Sequence, residues 1–161
     1  MSGKNQAGIR QSRPFRSLEG EAFVNLLRTA DALLREVEEA LKQSGLSQTQ
    51  YNVLRILRGA GSEGLACREI GERMITRDPD ITRLLDRLEA RGLVSRARER
   101  TDRRVVTTRI SAQGLRILKQ LDEPILQLHR RQFRNLAARK VRQLVSLLEE
   151  ARERDAVRQG Q

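Results

Sequence analysis

The chain has 161 residues, of which 38% are hydrophobic and 33% charged, a composition that allows one small domain with helical extensions. Its 32 Lys and Arg residues outnumber its 21 Asp and Glu residues, and the resulting net charge of +11 favours a polyanionic partner such as nucleic acid. One Cys and one His exclude a disulfide framework and a Cys- or multi-His metal site. We therefore expect no metal and no cofactor. No apolar run reaches the length of a membrane span, so we expect no membrane partner. Together these features favour a cytoplasmic location.

The two ends of the chain are predicted to be disordered tails, and a long helix follows the first of them. Residues 1–17 carry four basic residues and no acid, which is typical of a disordered basic tail; residues 156–161 are the second tail. Residues 18–43 have apolar positions at a spacing of three and four, which predicts an amphipathic helix, and Gly45 ends it. Residues 18–45 carry a net charge of −3, so this helix is not expected to contact a polyanion.

Two shorter helices are predicted next. Ser47 and Gln50 have the spacing of a capping box, and Leu46 and Tyr51 that of a hydrophobic staple. The helix that they start is expected to stop at Gly59. A glycine-containing loop separates it from a short third helix over residues 66–74.

The fourth helix leads into a hairpin. The run Asp78-Pro79-Asp80 predicts the helix start, with Asp78 as the cap and Pro79 as the first helical residue, and Gly92 closes the helix after Arg91. The β-prone stretches 93–98 and 105–110 predict a hairpin. A long helix from Ser111 to about residue 134 and a last helix over 137–155 complete a mainly α fold. Its middle part, residues 46–110, has the element order of a winged helix-turn-helix, which places the fourth helix in a major groove and the hairpin, or wing, at the flanking minor groove.

The fourth helix has one apolar and one polar face. At about 100° per residue, Leu84, Leu85 and Leu88 cluster within about 60° of Ile81 and face the core. The opposite face is predicted to contact DNA through Thr82, Arg83, Asp86 and Arg87. Because outward charges are often only solvated, Arg83 or Arg87 could instead pair with Asp86 or Glu89.

The predicted wing is rich in arginine. It carries Arg96, Arg98, Arg100, Arg103 and Arg104. Two acids in this segment, Glu99 and Asp102, cannot neutralise five guanidinium groups. An excess of positive charge at a projecting tip favours phosphate contact or insertion into a minor groove.

These segments resemble the MarR-type transcriptional regulators. Residues 81–94 resemble that family's recognition helix and first wing strand, Asp102-Arg103-Arg104 its Asp-x-Arg wing signature, and residues 110–114 its Leu-Thr-x-x-Gly segment. The resemblance implies a homodimer, built by helices within 18–45 and 111–155, on a pseudo-palindromic operator. It implies that Arg104 enters the minor groove, that Asp102 holds an arginine in place, and that Thr82, Arg83 and Arg87 face the major groove. Arg77, just before the helix, is added to this predicted contact set.

The sequence therefore predicts a regulator that binds double-stranded DNA at a specific sequence and represses transcription. It predicts no enzymatic activity. The resemblance also implies release by a small phenolic or anionic effector. An RNA- or ribosome-associated basic helical protein without base readout is the alternative. Cys67 is expected to be packed and silent rather than a redox switch, and His129 to be a surface or interface residue.

Overall fold

The computed structural model describes residues 15–76, 80–98 and 104–153, and the chain divides into two units, Met1–Glu36 and Val37–Gln161. The first unit contains most of helix α1 (Leu18–Leu41), which confirms the first predicted helix. The Ser17 hydroxyl accepts a hydrogen bond from the Gly20 amide at 3.0 Å at the start of this helix. Five large apolar side chains of the unit are exposed by 45–76%: Leu18, Phe23, Leu26, Leu27 and Leu34.

The second unit begins with the last turn of α1, a short 3-10 turn (Lys42–Ser44) and Gly45 in the left-handed region at φ 64°. Helix α2 (Gln48–Ala60) starts with the predicted capping box. The Gln50 amide donates to Ser47 Oγ at 3.2 Å, and the Ser47 amide donates to Gln50 Oε1 at 3.1 Å. The helix continues through Gly59, where it was expected to stop, because that glycine adopts helical geometry and the chain turns only at Gly61.

A small sheet follows, with one strand more than the predicted hairpin. Strand β1 (Leu65–Ala66) comes before helix α3 (Cys67–Arg73), and β2 (Val94–Arg98) and β3 (Val106–Ile110) follow helix α4 (Ile81–Ala90). The strand order is β1-β3-β2, and both pairings are antiparallel. Two residues cannot display an alternating pattern, so β1 carried no signal in the sequence.

Two long helices end the described chain. Helix α5 (Ala112–Gln132) is capped by Ser111, whose Oγ accepts from the Gly114 amide at 3.0 Å. Its inner face is buried through Leu118, Leu121, Ile125 and Leu128. Helix α6 (Ala138–Glu153) has no buried residue.

The core of the second unit lies between α2, α3, α4, α5 and the sheet. Its fully buried side chains include Leu54, Ile70, Leu85, Leu88 and Leu118, one or more from each helix around it. This arrangement fixes the apolar face of α4 inward, so its opposite face is available to solvent. Within the described ranges, no helix combines the length and the hydropathy that a membrane crossing requires.

Candidate nucleic-acid interface

Helix α4 presents the face that the sequence predicted. Leu84, Leu85 and Leu88 are buried, whereas Thr82, Arg83, Asp86 and Arg87 are exposed. Burial at every third or fourth position holds the helix against the core and leaves two arginines, one turn apart, pointing outward.

The start of α4 differs from the prediction. The helix begins at Ile81, so the cap is Asp80 rather than Asp78. Asp80 Oδ1 accepts from the Arg83 amide at 3.3 Å, and Oδ2 lies 3.1 Å from Arg83 Nε. The expected partners of Arg83, Asp86 and Glu89, are thus replaced by the capping carboxylate. Since the side chain of Arg83 is 77% exposed, this ion pair is weak and solvent-screened, and the guanidinium can exchange it for another acceptor.

The other end of α4 is closed by a turn that aims the chain into the wing. The Gly92 amide donates to the Glu89 carbonyl at 2.8 Å, and the Leu93 amide to the Leu88 carbonyl at 3.0 Å. With Gly92 at φ 69°, this is the Schellman pattern expected for a glycine at C′. Strand β2 begins at Val94, only four residues after α4 ends.

Arg91 fastens this end of α4 to the loop after α1. Its Nη1 donates to the Gly45 carbonyl at 2.8 Å, and its Nη2 donates to the Ser44 carbonyl at 3.1 Å. No role for Arg91 is predicted from the sequence. A basic residue in the last turn of a helix gave only a general signal, since its acceptors lie more than 40 positions earlier in the chain.

Arg96 on β2 has a different environment from the one expected of a DNA contact. Its guanidinium pairs with Asp86 Oδ1 at 2.5 Å and Glu89 Oε2 at 2.6 Å. The hydrogen bond to Glu89, followed by the one to Asp86, raises the pKa of Arg96 above its usual range despite partial desolvation. The acidic side chains of α4 are therefore engaged by the wing strand, and not by Arg83 or Arg87.

The remaining wing residues fall into two groups. Arg98 is exposed and forms the last β2–β3 pair with Val106, and Arg104 is exposed two residues before β3 begins. Arg77, Arg100, Asp102 and Arg103 lie outside the described residues. Arg109, which the prediction omitted, donates from Nε to the Ser62 carbonyl at 2.8 Å and so links β3 to the turn before β1.

Other residues singled out in the sequence lie apart from this surface. Cys67 is the first residue of α3 and is half-buried against the core. His129 is exposed on α5 with its Nδ1 3.0 Å from Gln132 Oε1. Tyr51 is buried, and burial raises the pKa of its hydroxyl, although the nearby Arg55 opposes this.

Comparison with known proteins gives one consistent family. The MarR family model matches residues 46–106. A transcription factor of that family from Planctomyces limnophilus has 46% sequence identity and a TM-score of 0.65, over 84% of this chain and 98% of that one. A cysteine-to-serine mutant of MarR from Escherichia coli, in complex with operator DNA, has 25% identity and a TM-score of 0.75, over 84% and 98% of the two chains.

A curated relative agrees with these structures. The HTH-type transcriptional regulator TtmR of Methylorubrum extorquens is 35% identical over 106 residues, which are 66% of this chain and 53% of that protein. The chain thus spans about half the length of this relative. The first of these proteins is named as a transcription factor, the second is bound to operator DNA and the third is named as a transcriptional regulator, in agreement with the expectation that the chain is not an enzyme.

Proposed function

The chain belongs to the MarR family of transcriptional regulators, and from this we propose that it binds a pseudo-palindromic operator as a homodimer and represses transcription. In this proposal residues 46–110 bind DNA, while helices within 18–45 and 111–155 form the dimer. We assign the protein to the cytoplasm, in line with its family.

The outward face of α4 is the observation on which the proposal depends. Thr82, Arg83 and Arg87 project from a helix whose other face is fixed in the core by Leu85 and Leu88. A guanidinium can donate two parallel hydrogen bonds to the O6 and N7 atoms of guanine, and a threonine can contact a base edge or a thymine methyl. Rigid support matters because a base contact requires the side chain to start from a fixed position.

The wing supplies the second contact in each half-site. Arg98 and Arg104 are exposed at the hairpin ends, and the excess of basic residues at the tip matches the negative potential of a narrow minor groove. We assign Arg104 to that groove, with Asp102 holding an arginine in place. Arg77, Arg100 and Arg103 are assigned to the contact set through charge and position in the sequence.

A second copy of the chain is the proposed partner for the exposed apolar helices. Phe23, Leu26 and Leu27 of α1 are each about half exposed or more, and α6 exposes Val145 and Leu147. Apolar side chains that repeat along a helix face in this way gain free energy when an apolar partner covers them. In a two-fold dimer the two copies of α4 read half-sites about one helical turn apart.

A small phenolic or anionic effector is proposed to release the operator by binding between the dimer helices and the DNA-binding domain. The family assignment supports this part of the proposal, and no side chain identifies the compound. Screening aromatic carboxylates and phenols for loss of operator binding would test it, with a shift in melting temperature as an independent sign of binding.

Selection of bound fragments from a random DNA pool tests the function directly. The purified protein should enrich one inverted-repeat motif and retain it in a large excess of nonspecific competitor DNA. A basic RNA- or ribosome-associated protein would instead enrich no motif and lose binding to the competitor.

Sedimentation equilibrium should show a dimer at micromolar concentration, and removal of residues 137–161 should weaken both the dimer and operator binding. A stable folded monomer would contradict the dimer.

A further inference from the structure

Arg96 connects the wing to the recognition helix through several hydrogen bonds. Its backbone amide donates to Glu89 Oε1 at 3.1 Å, and its Nε donates to Glu89 Oε2 at 2.8 Å. Its Nη2 donates both to Glu89 Oε2 at 2.6 Å and to Asp86 Oδ1 at 2.5 Å. One side chain of β2 thus holds two positions of α4 that lie about one helical turn apart.

The geometry of this cluster suits arginine in particular. The Nε and Nη2 groups form one edge of the planar guanidinium, and both donate to Glu89 Oε2 while Nη2 also donates to Asp86 Oδ1. A lysine ammonium is a point charge without this fixed arrangement of donors. The side chain of Arg96 is 24% exposed, compared with 77% for Arg83. Arg96 is therefore already desolvated and paired within the protein.

The charge of the cluster also argues against a direct phosphate contact. Two carboxylates surround one guanidinium, so the three groups together carry a negative charge. A patch of this kind does not attract phosphate, in contrast to an exposed arginine on the same strand such as Arg98.

We propose that Arg96 is a positioning residue that fixes the angle between α4 and the wing, so that both reach their grooves in the same bound state. The proposal rests on the DNA-binding function proposed above. The backbone turn at Gly92 joins the two elements at one end only, and the Arg96 cluster adds a second connection further along α4. Because the angle between α4 and the wing is already fixed in the free protein, it does not have to be fixed when DNA binds. This lowers the entropic cost of binding.

A charge-neutral double variant separates position from charge. Arg96→Gln with Glu89→Gln removes one positive and one negative charge together, and Lys42→Gln with Glu39→Gln, an exposed pair on another part of the chain, is the matched control. Affinity for the selected operator is measured at several salt concentrations. The Arg96 variant should lose affinity by roughly tenfold, within the range of coupling energies between contacting residues, with an unchanged salt slope. The control reports what the loss of an exposed ion pair in the dimer region does, and it should lose much less affinity than the Arg96 variant.

Arg96→Lys provides the second test, and it also serves if the double variant fails to fold. It keeps the charge but loses the two-pronged hydrogen bond, so it should lose affinity in a similar way. Full affinity in Arg96→Lys, or a salt slope reduced by about 1 in the double variant, would overturn the proposal in favour of a phosphate contact. Melting temperatures and sedimentation are measured for each variant so that affinities are compared between folded dimers.

A double-mutant cycle gives a measurement that a purely stabilising role would not affect. Arg83→Ala and Arg104→Ala should be coupled in the wild type and close to additive in the Arg96→Gln, Glu89→Gln background. Equal coupling in both backgrounds would refute the positioning role. If the wild-type protein itself prefers no DNA sequence, the proposed function fails; if it binds its operator and the variants bind equally well, only this inference fails.

Discussion

Replacing Gly114 with Ala should destabilise the DNA-binding unit, although alanine is the better helix former. Gly114 lies in the first turn of α5, and a Cβ built there would overlap the Leu93 carbonyl oxygen and lie 2.8 Å from Ile110 Cγ1. The Leu93 carbonyl is not free to move, since it accepts from the Ser111 amide at 3.0 Å. The helix and the loop before the wing would have to separate.

The expected magnitude follows from two opposing contributions. Alanine gains at most about 1 kcal/mol of helix propensity over glycine, whereas overpacking a tight contact costs about 1–3 kcal/mol. Because the clash is with backbone rather than with the end of a flexible side chain, we expect a net loss of about 1–2 kcal/mol in the free energy of unfolding. Operator affinity should fall as well, because the same contact sets where the wing begins.

Gly59→Ala is the matched control. Gly59 is also a helical glycine, in the last turns of α2, but a Cβ there would meet nothing within 4 Å. This variant should gain about 0.5–1 kcal/mol. Urea unfolding of both variants at one protein concentration measures the difference, because the stability of a dimer depends on concentration. If Gly114→Ala were as stabilising as Gly59→Ala, the close approach of α5 to Leu93 would be refuted.

Arg83→Ala should cost roughly 1–3 kcal/mol on the selected operator and relax base preference at one position in each half-site; an equal loss on every sequence in a site library would remove Arg83 from base reading. Arg104→Ala should act mainly on operators with A·T-rich flanks, where the minor groove is narrow, and Arg100→Ala should lower affinity evenly and reduce the salt slope by about 1. Five base pairs inserted between the half-sites should abolish tight binding, since they rotate one half-site by about half a helical turn, and retained affinity would contradict the symmetric dimer. Tyr51 is the single tyrosine, and burial raises the pKa of its hydroxyl above 10.0. The folded protein therefore favours the neutral phenol over the charged phenolate more strongly than the unfolded chain does. This contribution to stability is complete below the unfolded pKa near 10 and decreases as the pH rises through the higher folded value. A near-ultraviolet titration should therefore have a later midpoint in the folded protein than in urea, and coincident midpoints would contradict the burial.

The elements that local chemistry specifies were predictable. The Ser47–Gln50 capping box lies within four residues, and the glycine at position 92 closes its helix through bonds to the preceding turn, so both could be read from spacing alone. The inner face of α4 follows from the helical period in the same way. The cap of α4 was wrong by two residues because Asp78 and Asp80 are both good caps, and only the folded position of Ile81 chooses between them.

The partners of the arginines required the tertiary structure. Pairing of β2 with β3 fixes which face of the strand Arg96 occupies, and packing of α4 against the core places Asp86 and Glu89 opposite it. A sequence shows that five arginines are close together in the wing, but not which of them is neutralised within the protein, because an ion pair depends on distances between separate elements. The sequence by itself therefore determined the fold class, the recognition helix and its outward face, through periodicity and capping over a few residues. The tertiary structure alone decided that Arg96 pairs with Asp86 and Glu89 and that a Cβ at position 114 would overlap the Leu93 carbonyl, because both depend on how closely separate elements approach each other.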